Sequence, residues 1–348
     1  MKKIVILLIT TIFIYANEIN LSIENNKTAF IKELNENNLS IKNYIPKPII
    51  IEEFFDASYV TLKNKANLAI IINKKRFFKY LPSIINGINA YFIQKGIDFN
   101  ISVYDTDVNI SLIPYDDIIY FSTKNLEDLS NYKKTFYLPL VNKNETNQTS
   151  HNIYYGLIDF KNQIDKLKEF INKKAFIIHD TTYISNKILN YEKNISYIEQ
   201  IYTFPKIPYW KLNNSFLIFN TPASKTAQVL SILTQKEINT TLNLSPQLGY
   251  DPLMILLTQP KDIQNLIIAN SIIDPPLLIN EYTNLLNSDI KYNWMNYATL
   301  ILANKIYNKQ NNEELFFMSD FNIYIFYNQI DYKVKLYKII NSSFKEVQ

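Results

Sequence analysis

The chain has no cysteine, which excludes disulfides, thiolate metal sites, a cysteine nucleophile and a lipid-anchor cysteine. It has only four glycines in 348 residues. Close backbone approach to a phosphate normally uses glycine, so a phosphate-gripping loop is not expected. No GxGxxG, P-loop, GxSxG or HExxH pattern occurs. There are only two histidines, His151 and His179. No lysine-rich block stands beside a row of stacking aromatics, and the formal charge of +4 includes Lys2 and Lys3, so nucleic acid is not an expected partner. Beyond the first residues no run of about eighteen apolar residues occurs, so stable membrane insertion is not expected once a leader is removed.

What is present begins with an address. Lys2 and Lys3 precede an apolar run, Ile4 to Tyr15, closed by the small residue Ala16. This is the layout of a secretory signal peptide, expected over 1–16. Secretion without disulfides points to a bacterial periplasm. Residues 17–65 are polar, broken by Ile45-Pro46-Lys47-Pro48, and read as an extension and linker.

The stretch from Asn67 to Thr106 carries the most information. Leu68 to Ile72 is apolar at every position, a helix-length amphipathic segment runs from about Arg76 to Gln94, Gly96 stops it, and Ile97 to Tyr104 is apolar again. Strands buried on both faces belong to parallel sheets with crossover helices. Similar alternation continues. Strands are expected over Ile118–Phe121, Thr135–Val141, Ile153–Asp159, Lys174–Asp180, Ile195–Phe204, Ser215–Asn220, Thr240–Leu244 and Leu266–Ala269. Helices are expected over Lys124–Asn131, Phe160–Asn172, Thr182–Lys193, Pro222 to about Lys236, Glu281–Leu286 and Trp294–Tyr307. Phe316–Phe326 and Tyr332–Ile340 read as two antiparallel strands joined through Asn328 to Asp331. The polar loop Asn142–Asn152 is the expected passage between halves. The fold class is therefore α/β and two-lobed, each lobe a mostly parallel sheet flanked by helices, with lobe 1 over 66–150, lobe 2 over 151–290 and a return segment over 291–348.

In this order the chain resembles the type I periplasmic-binding-protein fold, and within it the penicillin-binding-protein activators of the LpoA kind. Four stretches carry the resemblance. They are the opening unit with Gly87 in its helix and Tyr104-Asp105-Thr106 at its end, Phe216 to Leu233 around Thr221-Pro222, Asn265 to Pro276, and a tyrosine-rich helix with a closing strand pair. The chain departs from that pattern in lacking a lipid-anchor cysteine, and Met318-Ser319-Asp320-Phe321 stands where a glycine pair is common. The resemblance implies a non-enzymatic periplasmic protein that binds or regulates envelope enzymes. The alternative is a solute receptor for a small polar ligand such as an amino acid. No cofactor or metal is implied.

In such a fold, ligand contacts come from loops at the carboxyl ends of strands. The candidates are Asn73, Ser122, Thr123, Asp180, Thr181, Thr182, Tyr183, Asn220, Thr221, Ser245 and Gln247. Hydroxyls and helix N-termini there could hold a carboxylate. A plainer reading exists for Thr123, Thr182 and Thr221, which such residues support by capping helices. His179 and Asp180 are adjacent on a strand and so point to opposite faces, which argues against an acid–base pair. Asp105 and Asp107 are two carboxylates, too few for a hard-cation site. Trp210 is a candidate exposed contact, with burial against a strand the commoner outcome, and Trp294 reads as core.

Overall fold

The computed structural model describes residues 65–123, 126–146, 150–193, 195–311 and 316–347. The expected signal peptide and all of the extension except Lys65 lie outside the described residues. Among the described residues no helix is long and apolar enough to cross a membrane.

Two mixed sheets, each flanked by helices, make the two lobes. In lobe 1, β1 (Lys65–Ile72), β2 (Asp98–Tyr104), β3 (Asp117–Phe121), β4 (Thr135–Leu138) and β5 (Ile153–Tyr155) are parallel, in the order β2-β1-β3-β4-β5. The unbroken apolar run of β1 has a simple cause. Leu68, Ile70 and Ile72 pack on one face under α1 (Leu81–Gln94) and α8 (Trp294–Gln310), while Ala69 and Ile71 face a second core with Ile113, Leu129 and Phe136. Helix α1 starts five residues later than expected, because Pro82 suits the first turn, where its missing N–H costs nothing.

In lobe 2, β6 (Ala175–His179), β7 (Ile198–Thr203), β8 (Phe216–Asn220), β9 (Leu242–Ser245) and β10 (Leu266–Asn270) are parallel, in the order β7-β6-β8-β9-β10. Phe176 and Ile178 face the layer holding α4 (Ala223–Gln235), α5 (Pro252–Leu256) and α6 (Pro260–Ile263). Ala175 and Ile177 face α2 (Phe160–Lys168) and α3 (Tyr183–Glu192).

The lobe boundaries differ from the expected ones. β5, expected to open lobe 2, is hydrogen-bonded to β4 and so stays in lobe 1, and the passage to lobe 2 falls at Gly156–Asp159. The chain returns at Ser271–Pro276, since α7 (Leu277–Leu285) packs on α1. The two closing runs also part company. β11 (Phe317–Met318), β12 (Ile323–Phe326) and β13 (Gln329–Ile330) extend the first sheet, whereas β14 (Lys335–Ile340) and β15 (Ser343–Val347) extend the second. The segment Asp331–Val334 is thus a third crossing rather than a hairpin turn. Two of the crossings touch: the Tyr332 hydroxyl donates to the Gly156 carbonyl (2.7 Å), and Lys166 Nζ of α2 donates to Val334 O (2.8 Å).

Polar clamps tie the return segment into lobe 1. Asp117 Oδ1 accepts from Lys309 Nζ (2.7 Å) and the Tyr137 hydroxyl (3.0 Å), and Oδ2 accepts from Gln310 Nε2 (2.8 Å). Asp320 accepts from the Tyr91 hydroxyl (2.7 Å) and Lys95 Nζ (2.6 Å). Gly87 lies where α1 meets this layer. A Cβ there would fall 2.6 Å from Ser288 Oγ and 3.1 Å from Leu300 Cδ1. Gly87→Ala should therefore destabilise by about 1–2 kcal/mol despite its better helix propensity. In a Ser288→Ala background the penalty should shrink, since the remaining Cβ lies at 3.5 Å. A double-mutant cycle by urea unfolding reads the coupling, and strictly additive effects would refute the contact.

Candidate functional site

The carboxyl ends of β1, β2 and β3 in lobe 1 face the amino end of α3 in lobe 2. Between them lies a cavity of about 630 Å³. At β1, the Asn73 side chain accepts from Arg76 N (2.8 Å), a local turn that throws Arg76 and Phe77 toward the opening. Thr106 lines it from the end of β2, and Ser122 and Thr123 from the end of β3. Thr182, Tyr183 and Ile184 line it from lobe 2, and Asn293, Trp294 and Met295 from the start of α8.

Five of the residues expected from strand ends thus meet here: Asn73, Ser122, Thr123, Thr182 and Tyr183. Thr182 also acts as a cap, its hydroxyl oxygen accepting from Ser185 N (3.4 Å). The other six lie outside the lining, Thr181 as an exposed residue just before α3. Asp180 is buried; its Oδ2 accepts from Lys225 Nζ (2.6 Å) and its Oδ1 accepts from Thr182 N (3.0 Å). Burial alone would raise its pKa, but the Lys225 and Thr182 hydrogen bonds outweigh it and hold the carboxyl below the usual range. Asn220 and Thr221 are turned into lobe 2. The Asn220 amide donates to Glu192, and the Thr221 hydroxyl pairs with that of Thr226 (2.8 Å) rather than capping α4.

Ser245 reaches backward to the Phe219 carbonyl (3.4 Å). Gln247 belongs to the wiring of a crossing. Its Oε1 accepts from Ser271 N (2.8 Å), its Nε2 donates to Asn270 Oδ1 (2.8 Å), and its backbone N–H donates to Gln163 Oε1 (2.8 Å), while Gln163 Nε2 donates to Ser271 Oγ (2.7 Å). These side chains follow strand ends in sequence, but they point into the sheet–helix layers, where every buried polar atom seeks a partner.

Several lining residues were not singled out from sequence. The sequence pattern places Arg76 at the start of a helix and Trp294 in the core, and both line the cavity. Trp294 sits edge-on to Phe160 (ring centroids 6.3 Å apart), the first residue of α2. The signal that could have found Arg76 is its rarity: it is the chain's single arginine among 36 basic residues. Trp210 is 75% exposed in a short turn of lobe 2, away from this lining.

Beside the cavity a polar contact joins the lobes. Glu145, in a 3-10 turn of lobe 1, accepts from Lys187 Nζ and from the Tyr191 hydroxyl, both on α3. Burial, then the Glu145 carboxylate, pushes the Tyr191 hydroxyl far above its ordinary pKa, so it stays a donor. His179 and Asp180 do not converge as side chains; His179 Nε2 meets the Thr203 hydroxyl (2.9 Å). Among the described residues no group of three or more His, Asp or Glu could hold a metal ion.

No family model matches the chain, and no curated protein matches it significantly. Solved structures do. A branched-chain amino acid ABC transporter protein from Thermus thermophilus with bound valine is 9% identical, with TM-score 0.57 over 82% of this chain and 95% of that one. An extracellular ligand binding receptor from Desulfohalobium retbaense is 9% identical, with TM-score 0.60 over 81% of this chain and 59% of that one. LpoA from Haemophilus influenzae is 9% identical, with TM-score 0.54 over 83% of this chain and 60% of that one. At such identities the likeness is one of fold. The chain has the type I periplasmic-binding-protein-like architecture.

Proposed function

We propose that this is a non-enzymatic periplasmic binding protein that receives a small ligand between its lobes. The observation that carries this reading is the cavity itself. It lies at the carboxyl ends of parallel strands, is lined from both lobes, and has a volume of about 630 Å³, within the range of small-molecule sites. Asn73, Ser122, Thr123, Thr182 and Tyr183 are the proposed polar contacts among the residues expected from sequence. The solute receptor is favoured over the regulator, because the lining is concave and mixed apolar–polar, as ligand pockets are.

The test is a thermal-shift screen of the purified protein against amino acids, short peptides, muropeptides and small organic acids. A true ligand at 100 times its Kd should add about 2.7 kcal/mol and raise Tm further with the logarithm of its concentration. A flat screen in a folded sample would refute the receptor reading. The second reading, an activator-like partner of cell-wall synthesis enzymes, draws on the fold shared with LpoA. It would gain only if the screen is flat and a penicillin-binding protein is retained by the immobilised chain.

A further inference from the structure

The cavity is chemically one-sided. Its lining has one cation, Arg76, and no aspartate or glutamate. Arg76 is exposed in the opening, and among the described residues it has no acidic partner. Its guanidinium carbon stands 5.7 Å from the Phe77 ring centroid and 6.0 Å from that of Tyr183, so rings from both lobes flank it. Elsewhere this chain meets every need for positive charge with lysine. Arginine differs in having a flat, always charged fork that matches a carboxylate with two parallel hydrogen bonds while its faces lie on aromatic rings.

The acids that neighbour the lining do not themselves line the cavity, and Glu145 beside it is held by Lys187 and Tyr191. Asp180 is locked by Lys225 and Thr182. Asp105 holds the backbone and hydroxyl of Thr106 (2.7 and 3.3 Å). An ammonium group in the cavity would therefore lose water without gaining a carboxylate, which is unfavourable. Six rings, Phe77, Tyr80, Tyr120, Phe121, Tyr183 and Trp294, share the walls with neutral polar and aliphatic side chains.

We infer that the cleft selects an aromatic carboxylate that carries no amino group, with Arg76 holding the carboxylate and the ring wall holding the body. This rests on the reading that the cleft takes a small ligand, and it narrows that reading away from α-amino acids.

The experiment is titration calorimetry on the full protein with benzoate, phenylacetate, 3-phenylpropionate and indole-3-acetate, alongside 3-phenylpropionamide, phenylalanine and leucine. At least one acid should bind. The matched amide and phenylalanine should each bind about 10-fold or more weaker than 3-phenylpropionate. Arg76→Gln, with an unchanged unliganded Tm, should weaken the acids about 10- to 100-fold and leave the amide unchanged, and Arg76→Lys should restore only part of the loss. Binding of phenylalanine or leucine at least as tight as any acid, or acid binding insensitive to Arg76→Gln, would overturn the inference and leave the receptor reading standing. Silence from every acid, amino acid and peptide in the folded protein would overturn both.

Discussion

Asp117→Ala should cost about 3 kcal/mol and lower Tm by roughly 6–12 °C. The carboxylate is nearly inaccessible to water and accepts three hydrogen bonds from two elements distant in sequence, β4 through Tyr137 and α8 through Lys309 and Gln310. Gln310 in turn grips β1 with both ends of its amide, accepting from Asn67 N (2.8 Å) and donating to Asn67 O (2.7 Å). Removing the carboxylate leaves the buried Tyr137 hydroxyl without its acceptor and Lys309 without its anion. Loss of one member of a buried charged pair costs about 3–5 kcal/mol, and the low end applies because Lys309 can reach water. Tyr137→Phe should cost about 1 kcal/mol, since it removes a single hydrogen bond. Urea unfolding measures both. A loss under about 1 kcal/mol for Asp117→Ala would show that α8 is held by packing alone.

A second large effect concerns pH. Glu192 is fully buried at the end of α3, and burial pushes its pKa up to about 8, opposed by the hydrogen bond from Asn220. With the acid charged, the buried Glu192 Oε1 and Asn220 Oδ1 have no hydrogen-bond partner. A protonated Glu192 resolves both, because its O–H can donate to the Asn220 carbonyl while the amide donates back. The folded state then keeps a proton that the unfolded chain releases near pH 4.5. Stability from this group is full below pH 4.5 and falls as pH rises, until it is lost above about pH 8. The change across that window is up to about 5 kcal/mol. Glu192→Gln keeps the shape and removes the titration. Its stability should stay close to wild type at pH 5 and exceed it at pH 8.5. Parallel pH profiles for the two proteins would show that Glu192 titrates normally.

The elements most legible in the sequence were those whose burial is local to the pattern. β1, β6, β8 and β10 are continuous apolar runs because layers cover both their faces, and Gly96, at φ 62°, ends the turn after α1 as its position suggested. What the sequence hid depends on pairing at a distance. Ile153–Tyr155 is too short to announce which sheet it joins, and only its ladder with β4 decides. Phe316–Phe326 and Tyr332–Ile340 alternate alike, yet hydrogen bonds send them to different lobes. The lining of the candidate cavity was partly visible for the same reason. Position at a strand end is readable, but side-chain direction is not, so Thr182 and Tyr183 reached the cleft while Asn220 and Gln247 served the interior. Arg76 and Trp294 sit at helix approaches, where amphipathic periodicity carries no information about a cleft.

The three crossings at Gly156–Asp159, Ser271–Pro276 and Asp331–Val334 have a mechanical consequence. One strap would let the lobes swivel and slide. Three straps, two of them bonded through Tyr332 and Gly156, favour a single rotation, like a door on its pins. On the proposed reading, a ligand lodged between the lobes would act on that one angle, and the change would be felt at their far rims. A neighbour gripping both rims could tell a filled protein from an empty one without touching the contents.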